Sequence, residues 1–335
     1  MSEQNEAKKV VRFKNDVRIV GKLSSADLQT KTNDKGNTYV YGKVAIATDL
    51  EHCYSVKVFI NEKKFDGSEN KSYVNALDLL TVKEPTSMKN LMEKNATMTR
   101  EQAFENAPAV YAFGAFEDWE TEQKELRNGI RAIRVGLSKP DKEFRPEATF
   151  EVDAYIEKKT PIQNADMEEE GVKILGVIPT GSEDKPSAVR VDLIARSTEG
   201  PDAQNVVDYI NDNFNVKDTV RFTGDIVNLM KRETVASAKS FGRASQDQVT
   251  TTFIDERILR GGNAEPYEED SDLYLTDKEV KKRLTNRQVA IDEQKAAAKK
   301  SADNKAAVAD KQWGFGMDSK ASKTVDGADD EDLAW

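Results

Sequence analysis

Tyr39, Tyr41 and Lys43 stand at alternate positions of one segment, and Lys57 and Phe59 do so in the next. Residues two apart share one face of an extended strand. An antiparallel pairing of the two segments sets all five side chains beside one another. Aromatic faces accept the stacking of other planar rings, and cations beside them pair with phosphates. Arg131 and Arg134 in a later strand, with Trp119 in the loop before it, extend the set. Tyrosines also fill half-exposed strand positions for packing alone. Phe59, set among polar neighbours on its face, favours a ligand over packing.

A second concentration lies in Lys231 to Gln248 (KRETVASAKSFGRASQDQ), read as a loop between two strands. Lys231, Arg232, Lys239 and Arg243 face one acid, Glu233, through position 243, and flank Phe241. Its small residues suit a loop that wraps a ligand. Lys173 and Arg190 are lesser candidates, since charged strand residues are usually solvated. Catalytic and metal chemistry find little support. The single Cys53 precludes an internal disulfide, and with the single His52 it cannot supply a usual zinc set. No GxxxxGK[ST], GxSxG or HExxH motif is present. Asp166 and Glu168 to Glu170 read as a solvated turn. No catalytic residue, metal or cofactor is expected, so the chain is not read as an enzyme.

The elements that must position these residues follow from period-two patterning between positions 12 and 262. Val40, Gly42, Val44 and Ile46 form the inward parity of one strand, and Tyr54, Val56, Val58 and Ile60 that of the next. Tyr73, Ala76, Leu77 and Leu80 have helical spacing, and 86–107 reads as a helical insertion. Strands resume at Val110 to Phe116 and Ile130 to Val135. Three strands, a helix and two strands then recur. Val56 to Val58 match Val189 to Val191 at an offset of 133 (56 to 189), and Val74 matches Val206 at 132. Gly114 of VYAFGAF matches Gly224 of VRFTGDI at only 110, because the insertion belongs to the first copy. The alternative is one irregular β domain.

The expected fold is therefore mainly β, a β-barrel with added helices, in two OB-fold-like units. Unit 1 spans 12–140 and unit 2 spans 141–262; a linker and helix follow at 263–312, and a disordered acidic tail at 313–335. Thr276 and Glu279 form a capping box opening that helix, with Val280, Leu284 and Ile291 as its apolar stripe. The Ala/Lys-rich segment 295–309 can extend it. The last ten residues, DGADDEDLAW, hold five acids and no base.

Two such units, a polar linker and an acidic tail ending in an aromatic residue resemble the single-stranded DNA-binding proteins, particularly those of bacteriophages. The resemblance covers the whole chain, with DDEDLAW its more specific part. It ends in Leu333-Ala334-Trp335 where bacterial relatives end in Pro-Phe. It implies a protein that coats and protects single-stranded DNA in replication, recombination or repair. The tail residues Asp329, Asp330, Glu331, Asp332, Leu333 and Trp335 would recruit a polymerase, helicase, primase or recombinase.

The formal charge of −10, from 50 basic and 60 acidic residues, does not oppose this, because a local patch decides polyanion binding. A tail that competes for the basic groove and leaves when DNA occupies it reconciles the two. No apolar run long enough for a membrane span occurs, and MSEQNEAKK lacks a signal-peptide core, so no membrane partner and a cytoplasmic location, the host cytoplasm for a bacteriophage protein, are expected. The rival reading is a structural or scaffold protein of a virion, with two barrels and no nucleic acid.

Overall fold

The inward parity holds: Val40, Val44, Ile46, Tyr54, Val56, Val58 and Ile60 are all buried. The computed structural model describes residues 12–33, 35–120, 126–138, 144–163, 169–196, 206–235 and 248–312. Its first unit comprises β1 (Asn15–Thr32), β2 (Thr38–Ala47), β3 (Cys53–Asn61), α1 (Lys71–Thr86), α2 (Met88–Lys94), α3 (Arg100–Asn106), β4 (Ala109–Glu120) and β5 (Leu126–Leu137). The strands pair in the order β1-β2-β3-β5-β4 and return to β1, antiparallel except for β3 beside β5. The second unit repeats the plan with β6 (Glu147–Gln163), β7 (Glu169–Gly181), β8 (Pro186–Arg196), α4 (Val206–Asn213), β9 (Thr219–Val235) and β10 (Gln248–Gly262). It closes as β6-β7-β8-β10-β9 and back to β6. Two closed five-stranded barrels of OB-fold order result, and closure leaves no long unpaired edge.

Long first strands make closure possible. β1 pairs with β4 through Val17 to Lys22, then with β2 through Lys22 to Thr32, and a bulge at Ser24 marks the transfer. Gly21 sits at the crossing, where a Cβ would strike the Ala47 carbonyl. β6 does the same, with its bulge at Glu157, 133 residues on from Ser24. Opposite Gly114 the fifth strand skips Ile133, and opposite Gly224 it skips Arg260. The duplication is thus written in the irregularities as well as in the strand order. The third strands correct the sequence alignment. Lys57 pairs with Arg131 and Ile194 with Ile258, each two residues before its bulge, an offset of 137 (57 to 194) in place of 133.

Helix α1 buries Tyr73, Ala76 and Leu79 against barrel 1, and α4 buries Val207 and Ile210 on barrel 2. Asn70 caps α1 by accepting from the Ser72 N–H at 3.1 Å. The insertion forms a small core of Met88, Ala103 and Ala107 against Ala47. No helix among the described residues is long and apolar enough to cross a membrane.

The segment read as a linker is packed instead. Tyr267 donates to Asp153, a fully buried carboxylate that also accepts from Arg221 Nε and the Lys14 N–H, at 2.8, 2.8 and 2.7 Å. Leu275 and Val280 join Tyr155, Val177 and Ala188 in a core of their own. The capping box forms: Glu279 N–H donates to Thr276 Oγ1 at 3.3 Å and Thr276 N–H to Glu279 Oε2 at 2.9 Å. Helix α5 (Asp277–Gln312) then reaches barrel 1. Its Arg287 Nε donates to Asp118 Oδ1 at 2.9 Å, with the two side chains 6% and 4% exposed. Asp118 Oδ2 also accepts from the Arg190 N–H at 3.0 Å, so one carboxylate ties β4, β8 and α5 together.

Removing one member of a buried pair leaves the other charge stranded, at about 3–5 kcal/mol. Arg287→Ala should lower the unfolding free energy by about that amount in a urea titration, and Asp118→Asn by a similar margin. Tyr54 supplies a second test. Its hydroxyl donates to the Ile226 carbonyl of barrel 2 at 2.8 Å, and burial pushes the phenol up to about 12 from 10.0. The folded state favours the neutral phenol, so its contribution is complete below pH 10.0 and is lost as the pH rises toward 12. Tyr54→Phe should be less stable at neutral pH and should lose stability less steeply across that alkaline window.

Candidate nucleic-acid interface

Barrel 1 turns an aromatic and cationic surface outward from β2, β3 and β5. Register places Tyr41 beside Phe59, Lys43 beside Lys57, and Lys57 beside Arg131. The Tyr39 and Phe59 rings lie 4.9 Å apart between centroids and those of Tyr39 and Tyr41 5.7 Å apart. Phe59 is 54% exposed. Tyr41 is oriented by its hydroxyl, which donates to Gln29 Oε1 of β1 at 2.9 Å. Between Tyr41 and Lys43, Gly42 takes φ +135° and lies so close to the Asp27 carbonyl that no Cβ fits. Only glycine allows β2 to coil over β1 at this point.

Arg131 and Arg134 are three residues apart, and plain alternation would put them on opposite faces. The bulge at Ile133 resets the parity, so both are exposed. Ile133 itself is 58% exposed. Lys43, Arg131 and Arg134 form no ion pair among the described residues. Lys57 differs. Its ammonium lies 2.7 Å from Glu117 Oε1 and 3.9 Å from the centre of the Trp119 ring. Trp119 is not in a loop, as read from the sequence; it belongs to β4, opposite Arg127. The edge of its indole abuts Gly129, where a Cβ would come within 2.6 Å of the ring.

The strand pairing also adds a residue that the sequence reading passed over. Phe113 is partly exposed on β4, flanked in register by Arg18 and Arg134, with the Arg18 guanidinium 5.5 Å from its ring centre. The signal was present: Tyr111, Phe113 and Ala115 form the outward parity of VYAFGAF. Glu117, next in that parity, is the acid among these cations.

Barrel 2 offers no equivalent face on its third strand. Lys173 is neutralised by Asp192 at 2.7 Å, and Arg190 by a two-point contact with Glu157, 2.8 Å on each arm. The basic segment is corrected in part: Lys231 and Arg232 lie on β9, not in a loop. Lys239, Phe241 and Arg243 lie outside the described residues, as do Asp329, Asp330, Glu331, Asp332, Leu333 and Trp335 and the whole tail 313–335. Of the acidic run, Glu169 and Glu170 open β7, while Asp166 and Glu168 lie outside the described residues.

These features define a tandem five-stranded barrel protein with an open aromatic and cationic surface on its first barrel. The family model YorF matches residues 14–297, and the chain belongs to the YorF family. No curated protein matches it. Among solved structures, it is similar to the wild-type single-stranded DNA binding protein from Thermus aquaticus, with a TM-score of 0.39 and 9% identity over 78% of this chain and 97% of that one. A deletion mutant of the same Thermus aquaticus protein gives a TM-score of 0.38 and 9% identity over 78% and 98%.

The close seat of Trp119 is directly testable. The chain has three tryptophans, and in a Trp313→Phe/Trp335→Phe background Trp119 alone is left to report. Gly129→Ala should push the ring off the strand, shifting its emission to longer wavelength and costing about 1–3 kcal/mol of stability.

Proposed function

We propose that this protein binds and coats single-stranded DNA in replication, recombination or repair, in the manner of the bacteriophage proteins that its sequence resembles. The observation that carries the reading is the outward cluster of Tyr39, Tyr41 and Phe59 beside Lys43, Arg131 and Arg134, three cations with no ion-pair partner among the described residues. Bases stack on such rings at about 1–3 kcal/mol each without regard to sequence, while cations follow the phosphates. Binding only the open strand would melt secondary structure by mass action. The reaction is binding alone, with no catalytic step and no cofactor. The basic segment around Lys231, Arg232, Lys239, Phe241 and Arg243 would add a second grip, and the acidic tail would compete for the groove and recruit replication or recombination proteins when displaced.

Fluorescence anisotropy with a labelled oligo-dT and a duplex of equal length, at two salt concentrations, tests the reading. Tight, salt-sensitive binding of the single strand and much weaker binding of the duplex is expected. Tyr41→Ala and Phe59→Ala should each weaken it by about 1–3 kcal/mol. Arg131→Gln should reduce the salt slope by about 0.7, the share of one phosphate contact on a single strand. Removing 326–335 should tighten DNA binding and abolish partner contacts. A folded protein that binds neither oligonucleotide would overturn the reading and favour a structural, scaffold role.

A further inference from the structure

We infer that Glu117 is a built-in competitor of the DNA phosphate: in the free protein it holds Lys57 over the face of Trp119 on which a base would stack. The inference rests on the single-strand binding proposed above and adds a residue and a step to that site. Three contacts carry it. The Lys57 ammonium is 3.9 Å from the centre of the Trp119 ring, a cation–π geometry. The same ammonium is 2.7 Å from Glu117 Oε1, which anchors it there. The edge of the indole at Cζ3 abuts Gly129, where a Cβ would come within 2.6 Å, so the ring cannot slide away from Lys57 along the strand. The ring is held at its edge and covered on one face by Lys57, so a base reaching that face must displace Lys57.

A nucleotide entering from Phe59 and Arg131 changes this by exchange. Its phosphate takes the Lys57 ammonium from Glu117, Lys57 swings off the ring, and the uncovered indole receives the base. Glu117 loses its counter-charge beside a polyanion, and that penalty opposes binding. Glu117 therefore acts as a positioning residue that lowers affinity and keeps the coat removable. A consequence for salt dependence follows. In the wild type, Lys57 trades one anion for another and releases little counterion, so it contributes almost nothing to the slope, unlike Arg131 and Arg134. With Glu117 neutralised, Lys57 starts free, and its phosphate contact adds about 0.7 to the slope.

The test uses Glu117→Gln, close in shape to the native residue, in the full chain and in the Trp313→Phe/Trp335→Phe background. Oligo-dT affinity should rise about two- to fivefold, the range of a partly exposed ion pair, and the salt slope should steepen by about 0.7. Lys57→Gln added to Glu117→Gln should return the slope to the wild-type value, and Lys57→Gln alone should leave it unchanged. Without DNA, Glu117→Gln should increase acrylamide quenching of Trp119, a readout that loss of a merely structural ion pair elsewhere would not move. Unchanged or weaker binding by Glu117→Gln, with a wild-type melting curve, overturns the inference while wild-type binding leaves the proposed function standing. A wild type that ignores oligo-dT overturns both.

Discussion

The structure depends on the pairing of β1 with three neighbours. Its first half, around Val17 to Val20, is hydrogen-bonded to β4 on one side and β6 on the other, and its second half leaves them to pair with β2. The first half of β6 in turn sits between β1 and β9, and its second half leaves for β7. A four-stranded sheet, β4-β1-β6-β9, thus lies at the seam and belongs to both barrels. A backbone group buried without a partner costs as much as a lost hydrogen bond, so neither barrel can separate from the other without exposing or orphaning that row. The side-chain ties reinforce the same seam: Tyr54 reaches Ile226, and Asp118 gathers Arg190 and Arg287.

That constraint decides where a ligand surface can lie. β2, β3 and β5 are the strands of barrel 1 that lie outside that four-stranded seam. They hold Tyr39, Tyr41 and Phe59, while β3 reaches the second barrel through the inward Tyr54. The second barrel pairs cations with its own acids, Lys173 with Asp192 and Arg190 with Glu157. Arg190 shows why. Its backbone N–H holds Asp118, so the strand that carries it is committed to the junction with α5. The two barrels share a strand order but differ in what their outward cations contact.

Much of the fold was legible because its physics is local. A strand buried on one face must alternate, and the valine and isoleucine parities of β2 and β3 could be assigned from spacing alone. The capping box at Thr276 and Glu279 was legible for the same reason, since it satisfies N–H groups within one turn. Bulges were not. Ile133 carries no marker in RAIRVG, yet it decides that Arg131 and Arg134 share a surface, and the Gly114 opposite it becomes meaningful only once paired. The long-range ion pairs were also silent. Arg287 interrupts the apolar stripe of α5 between Leu284 and Ile291, and nothing within its own helix names Asp118, 169 residues away, as its partner.

The core and the surface of barrel 1 are separable in energy. Val40, Val44, Val56, Val58 and Ile60 fill the interior and would suffice to close it. Tyr39, Tyr41, Phe59, Phe113 and Trp119 lie on the opposite parity and add nothing to that interior. Solvent-facing aromatic rings give up much of the stabilisation that burial would bring, about 25 cal/mol for each Å² left in water. The fold tolerates them only where something local holds them: Gln29 for Tyr41, Gly129 and Lys57 for Trp119, Arg18 for Phe113. Each ring is therefore oriented before any ligand arrives, which lowers the entropic cost of stacking on it. The same fixing has a second side at Trp119, because the cation that orders the ring also covers one of its faces, so order and accessibility oppose each other at that ring.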